Sequence, residues 1–266
     1  MNVLTVPYGQ LTFDAEGNDD PNSRYFSRVA HVPPGGSGVT IGRGYDLGNF
    51  TQSKVEEGLM RAGIDPTPWR GAYGKKSADA QSWYEANKGK LGEITREQQK
   101  KLFIYTYDDL KADVVRISTK ADVLKVYGKT DFATLDPRIL DVVVDLRYRG
   151  DYSGATRKRV QPCMVKSDVE GLAQVMADRS FWNSVPQDRF QRRKDFLAGA
   201  KNDGSATANK TTVKPATHVV ESGETLEKLS ARFGVSVDGL KQANKSKLKT
   251  WGTVQGFNAG ETITIP

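Results

Sequence analysis

Gly38-Val39-Thr40-Ile41-Gly42-Arg43-Gly44-Tyr45-Asp46-Leu47-Gly48 is the stretch on which the reading of this chain turns. Val39-Thr40-Ile41 is a short β-prone run between glycines, and it predicts a small hairpin or sheet edge within a Gly- and Pro-rich segment before residue 50. Gly42 and Gly44 would let an extended ligand come close to the backbone. Thr40 offers a hydroxyl that can orient a water, and Asp46 a carboxylate acceptor.

After residue 50 the pattern turns helical. Ser53-Lys54-Val55-Glu56, Thr95-Arg96-Glu97-Gln98 and Ser167-Asp168-Val169-Glu170 each have the form in which a cap residue and the residue three further on satisfy each other's backbone donors. Asp136-Pro137 adds another start, with Asp as cap and Pro at the first helical position. The helices so begun carry Leu102, Tyr105 and Leu110, then Ile139, Val142, Val143 and Leu146, then Leu172, Val175 and Met176. These read as core faces.

Between Lys201 and Thr217 the chain is small, polar and almost free of bulky apolar residues, as a linker is. Beyond it Val219-Val220 leads into a strand, and a helix capped near Ser222 or Thr225 carries Leu226, Leu229 and Phe233. Gly234 stops that helix, Val235, Val237, Leu240 and Ala243 mark a second, and Thr262 to Ile265 alternates as a closing strand. The order strand, helix, helix, strand, with the SGETL turn and the GETITIP close, resembles a LysM domain. Lys245 to Ala259 is longer than that family's pattern. The resemblance implies a glycan-binding groove formed by Gly223, Glu224, Thr225 and Leu226, with Trp251 a further candidate. Leu226 and Trp251 can equally be read as core residues of a small domain.

Composition bounds the chemistry. The 266 residues suit one catalytic-sized domain plus a small module, and no apolar run is long enough to cross a membrane. The first ten residues lack the features of a secretory signal, so delivery to a target outside the cytoplasm would fall to another system. The net charge of +7 lies mostly before residue 217, because the last 50 residues carry 6 Lys or Arg against 5 Asp or Glu. A basic face suits any polyanion, a bacterial wall as well as nucleic acid. The 2 His residues, His31 and His218, are too few for a zinc amidase, and the single Cys163 permits no internal disulfide. A Cys163–His31 nucleophile pair has an unremarkable local context, and no phosphate-binding glycine loop is present. No metal and no cofactor are expected. Carboxylates remain.

Cleaving a glycosidic bond needs two carboxyl groups, one protonated to donate to the leaving oxygen and one ionised to activate water or attack the sugar. Glu16, in Leu11-Thr12-Phe13-Asp14-Ala15-Glu16-Gly17, sits beside apolar residues just before a glycine; the alternative is a solvated loop acid. Asp14, Asp19 and Asp20 are rival carboxylates, and Asp19-Asp20-Pro21 also reads as a turn.

A Glu followed after some twenty residues by Thr40-Ile41-Gly42-Arg43-Gly44 resembles the active-site stretch of lysozyme-like muramidases of the T-even phage lysozyme and pesticin type. Ile94 to Gln98 and Arg189 to Lys194 are similar to later helices of those proteins. In the phage pattern an Asp precedes the Thr by six positions, where Pro34 stands here. In the pesticin pattern the Asp follows by six, and that position is Asp46. The resemblance implies Glu16 as general acid, Asp46 as base or charge stabiliser, Thr40 as positioner of the water, and Gly42, Arg43, Gly44 and Tyr45 as substrate-binding residues. It also implies inversion, with the carboxyls roughly 6.5 to 9.5 Å apart.

The expected architecture is α+β: a mainly helical lysozyme-like domain with a small N-terminal β-hairpin subdomain over residues 1–200, a flexible linker over 201–216 and a small βααβ LysM domain over 217–266. The expected activity is muramidase cleavage of the β-1,4 bond between N-acetylmuramic acid and N-acetylglucosamine, by a monomer acting on bacterial peptidoglycan, without nucleic acid or membrane insertion. Delivery machinery or an immunity protein would be its further partners. The alternatives are a non-catalytic wall-binding protein on the same scaffold and a lytic transglycosylase. Phage lysin, secreted effector and bacteriocin would share all these features.

Overall fold

The computed structural model describes residues 4–199, 216–226, 228–229, 237–251 and 254–265. The linker expected at 201–216 lies, Ala216 apart, outside the described residues, as do Phe233 and Val235. What is described is mainly helical, with three two-stranded antiparallel sheets, so the fold class is α+β. No helix among the described residues is long and apolar enough to cross a membrane. The chain divides into two compact units, Met1–Asp108 and Asp109–Pro266.

The first unit holds α1 (Gln10–Ala15), β1 (Thr40–Ile41), β2 (Tyr45–Asp46), α2 (Gln52–Arg61), α3 (Ser77–Leu91) and the start of α4 (Arg96–Ser118). β1 and β2 form the expected hairpin, in the register Thr40↔Asp46 and Ile41↔Tyr45. Its three-residue turn needs the two glycines, since Gly42 (φ 64°) and Gly44 (φ 82°) both lie in the left-handed region. Val39, Ile41, Tyr45 and Leu47 are at most 1% exposed and pack with Val55, Leu59, Trp69 and Leu102. The strand period of two then puts Thr40 and Asp46 on the opposite face of the hairpin.

Thr95 and Gln98 form the expected reciprocal cap: the Thr95 amide donates to Gln98 Oε1 (2.8 Å) and the Gln98 amide to Thr95 Oγ1 (3.1 Å). The other two boxes are displaced. α2 begins a residue before Ser53, with Thr51 as its cap, so Ser53 is inside the helix and Gln52 reaches Glu56 instead. The helix α3 was not foreshadowed by any capping signal; Lys76 precedes it without a side-chain cap.

The second unit contains α5 (Ala121–Tyr127), α6 (Pro137–Arg149), α7 (Gly154–Lys166), α8 (Val169–Ala177) and α9 (Gln187–Leu197). Asp136 caps α6, accepting from the Arg138 amide at 2.9 Å. The cap of α8 is Asp168, accepting from the Gly171 amide at 2.8 Å. Ser167 is instead the left-handed end of α7, and its hydroxyl accepts from the Asp136 amide at 2.8 Å. Asp145 on α6 is fully buried, and its carboxylate receives Arg189 and Arg193 of α9, each at 2.6 Å. The Arg-rich stretch of α9 is thus an internal clamp.

Residues after the linker build their own core from Val220, Leu226, Leu229, Leu240, Phe257, Ile263 and Ile265. β3 (Ala216–Val219) pairs antiparallel with β6 (Thr262–Ile265), and α10 (Val237–Ala243) lies between them in sequence. The stretch Lys245 to Ala259 contains a pair of short strands, β4 (Lys249–Trp251) antiparallel to β5 (Val254–Gly256).

Candidate active site

Thr40 lies at the centre of a row of three. Asp46 faces it across the hairpin, and His31 flanks it on the other side through paired backbone bonds, Thr40 N–H to His31 C=O (2.8 Å) and His31 N–H to Thr40 C=O (3.0 Å). Opposed residues of antiparallel segments share a face, so all three side chains point away from the core, into which Ala30 turns instead. The Leu47 amide donates to Val39 C=O at 2.9 Å, which makes Thr40/Asp46 a non-hydrogen-bonded pair, the kind with the closest side chains. Thr40 is 5% exposed and its hydroxyl donates to Gly38 C=O at 3.2 Å. Asp46 is half-buried. His31 is exposed, and the sequence signal for its place beside Thr40 is the alternation Ala30-His31-Val32.

The Asp46 carboxylate is held from two sides. Oδ1 accepts from the amides of Gly38 (3.0 Å) and Gly48 (2.8 Å), and Oδ2 accepts from Asn49 Nδ2 (3.0 Å). Gly38 is a glycine for this reason, since a Cβ there would stand 2.5 Å from Asp46 Oδ1.

Glu16 is the residue that ends α1, half-buried, with its amide donating to Thr12 C=O at 3.1 Å. The helix is fixed by Phe13, which is fully buried and meets the Phe103 ring edge-on at 5.0 Å. The hairpin turn is tied to this helix end by Arg43. Its guanidinium lies 4.1 Å from the Phe13 ring centre and donates to Phe13 C=O (3.1 Å), to Gly17 C=O and to Gln99 Oε1 (2.9 Å). The Gly42 amide adds a bond to Ser27 C=O at 2.8 Å, so the turn also grips the loop that follows Glu16.

Two of the residues offered for substrate contact are therefore interior. Arg43 is 4% exposed and bound to backbone carbonyls, and Tyr45 is 1% exposed, stacked on Phe50 with its hydroxyl on Lys54 C=O. The rival carboxylates have partners of their own. Asp19 receives Arg28 (2.7 Å) and Arg96 (2.9 Å), while Asp20 organises the turn by accepting from the Asn22 amide at 2.9 Å. Asp14 accepts from Gln10 Nε2 at 2.8 Å.

Cys163 is 7% exposed, and burial, followed by the nearby Asp168 carboxylate, pushes its thiol up from the ordinary value, the reverse of what a thiolate nucleophile requires. Among the described residues no cluster of three or more His, Cys, Asp or Glu could hold a metal ion.

In the C-terminal module Gly223 (φ 83°) and Thr225 are exposed, and the Thr225 hydroxyl accepts from the Lys228 amide at 3.3 Å. Glu224 is engaged within the turn, with its Oε2 on His218 Nε2 (2.6 Å) and on the Glu221 amide (2.8 Å). Leu226 is 2% exposed and belongs to the core, so only its backbone can meet a ligand. The backbone of Trp251 pairs with Val254; its side chain lies outside the described residues.

Comparison with known proteins adds a relative and two families. An autolysin of Enterococcus faecalis (strain ATCC 700802 / V583) is 31% identical over 97 residues, a match covering 34% of this chain and 12% of the autolysin. The chain thus spans about an eighth of that relative's length. Residues 218–266 match the LysM domain, which equips the chain to bind peptidoglycan. Residues 9–194, which include Glu16, Thr40 and Asp46, match the domain of unknown function DUF8812, and the chain is accordingly a member of that family carrying a C-terminal LysM domain.

Proposed function

We propose that this protein is an N-acetylmuramidase that cleaves the β-1,4 bond between N-acetylmuramic acid and N-acetylglucosamine in peptidoglycan. The observation that carries the reading is the Thr40/Asp46 pair, on the face of the hairpin opposite Ile41 and Tyr45, in a hairpin whose turn, through Arg43, grips the helix end bearing Glu16. The LysM match and the likeness to an autolysin support the substrate class.

In this mechanism Glu16 donates its proton to the glycosidic oxygen as the bond from that oxygen to the anomeric carbon breaks. A water held between the Thr40 hydroxyl and the Asp46 carboxylate attacks the anomeric carbon from the opposite side and passes its proton to Asp46. The Thr40 hydroxyl spends its own hydrogen on Gly38 C=O, which leaves its oxygen lone pairs to accept from that water. The LysM domain raises the local concentration of the enzyme on the wall.

Mass spectrometry of peptidoglycan digested by the pure protein is expected to show reducing-end muramic acid. Anhydro-muramic ends would assign a lytic transglycosylase, and undigested walls a non-catalytic binding protein. Glu16→Gln is expected to lose activity by about 10²-fold or more while still sedimenting with walls. Wall clearing by that variant at the wild-type rate would refute the acid assignment.

A further inference from the structure

Asp46 is the end of a longer chain of polar contacts. Its Oδ2 accepts from Asn49 Nδ2 at 3.0 Å, and Asn49 Oδ1 accepts from Lys76 Nζ at 2.7 Å. The direction of this chain is fixed by chemistry. An ammonium can only donate and a carboxylate acts here only as acceptor, so the amide between them has a single workable orientation, with oxygen toward Lys76 and nitrogen toward Asp46. Lys76 stands immediately before α3, and Asn49 closes the single helical turn Leu47–Asn49 that follows β2. The same crossing is held by backbone: the Ser77 amide donates to Ser37 C=O at 3.0 Å, and a Cβ on Gly48 would collide with Lys75 C=O.

The two carboxylate oxygens are consequently secured differently. Oδ1 is fixed by the backbone amides of Gly38 and Gly48. Oδ2 depends, among the contacts described, on Asn49, an exposed residue whose orientation is set by an exposed Lys76.

We infer that Asn49 and Lys76 are positioning residues for the active site: Lys76 fixes the Asn49 amide, and Asn49 fixes the rotation of the Asp46 carboxylate about its own axis, aiming Oδ2. The inference rests on the muramidase reading, in which the direction of an Asp46 oxygen lone pair decides whether water is held in line with the anomeric carbon. Misalignment of about 1 Å at such a point costs on the order of 10²-fold in rate.

The test measures kcat and KM on soluble, uncross-linked glycan strands for the full chain, with each variant's folded fraction established by thermal melting. Asn49→Ala is expected to lower kcat by about tenfold to 10²-fold with KM changed less than about twofold. The isosteric Asn49→Asp, which presents an oxygen where the donor stood, should fall at least as far and serves if the alanine variant does not fold. Lys76→Met is expected to lower kcat about threefold, and Lys76→Arg to recover most of that deficit. In the Asn49→Ala background Lys76→Met should cost nothing further, because its effect passes through the amide.

Wild-type kcat in both Asn49 variants, or an undiminished Lys76→Met effect without Asn49, would overturn the positioning role. Activity of Glu16→Gln equal to wild type in the same assay would instead overturn the muramidase reading, so the two failures are told apart.

Discussion

Asp145 and Asp46 are the same functional group in opposite surroundings. Asp145, on a helix of the second unit, is fully buried and receives two guanidinium groups, one of which, that of Arg193, also stands 2.9 Å from Asp151. Asp46, on a hairpin of the first unit, is half-buried and is held by two backbone amides and one neutral side-chain amide. A carboxylate sealed between cations has no surface left for a ligand. One held by neutral dipoles on one side keeps part of its surface open to whatever arrives. Burial with full charge pairing marks a structural acid, and partial exposure with directional neutral donors marks a candidate reactive one.

Removing charge from each site should therefore break different properties. Asp145→Asn leaves two buried guanidinium groups facing an uncharged partner and is expected to cost about 3–5 kcal/mol of stability, read from urea unfolding. A loss below about 1 kcal/mol would erase the contrast from the structural side. Asp46→Asn is expected to reduce kcat by about 10²-fold while lowering stability by no more than about 1 kcal/mol. A large stability loss with normal activity per folded molecule would place Asp46 in the same class as Asp145.

A third aspartate sharpens the scale at its small end. The Ser180 hydroxyl, then Arg159 and the Phe181 amide, hold the surface carboxylate of Asp178 down at about 2, below its ordinary 3.8. Because the folded value is the lower one, its stabilisation is fully present above the unfolded value and disappears as pH falls toward 2. The stability gap between wild type and Asp178→Asn should accordingly narrow between about pH 4 and pH 2 in acid titrations followed by circular dichroism. A gap constant over that range would mean that solvent screens the pair completely.

What was legible in the sequence had a local cause. The hairpin declared itself through Val39-Thr40-Ile41 and its glycines, because alternation and positive φ act within a few residues. The Thr95–Gln98 cap, the Asp136-Pro137 start and the strand–helix frame of the LysM module were readable for the same reason. The displaced caps at 51 and 168 show the limit: several residues of cap chemistry stood next to one another, and tertiary packing chose among them.

The roles of Arg43 and Tyr45 were not legible. A guanidinium in a glycine turn suggests a ligand contact, yet its acceptors lie at 13, 17 and 99, and only the folded chain brings them to one point. The place of His31 beside Thr40 and the contact of Lys76 with Asn49 were missed likewise, since those partners come from other segments.

The Arg43 strut also bears on how this protein could be redesigned. Three acceptors reached from two separate nitrogens of one planar cation are a demand poorly met by lysine, whose donors all sit on one nitrogen. The turn at 42–44 is thus closed to variation even though it would be the obvious place to graft new specificity. Diversity is better introduced beyond Asn49, at exposed positions such as Thr51 and Ser53, where side chains can change without unfastening helix from hairpin.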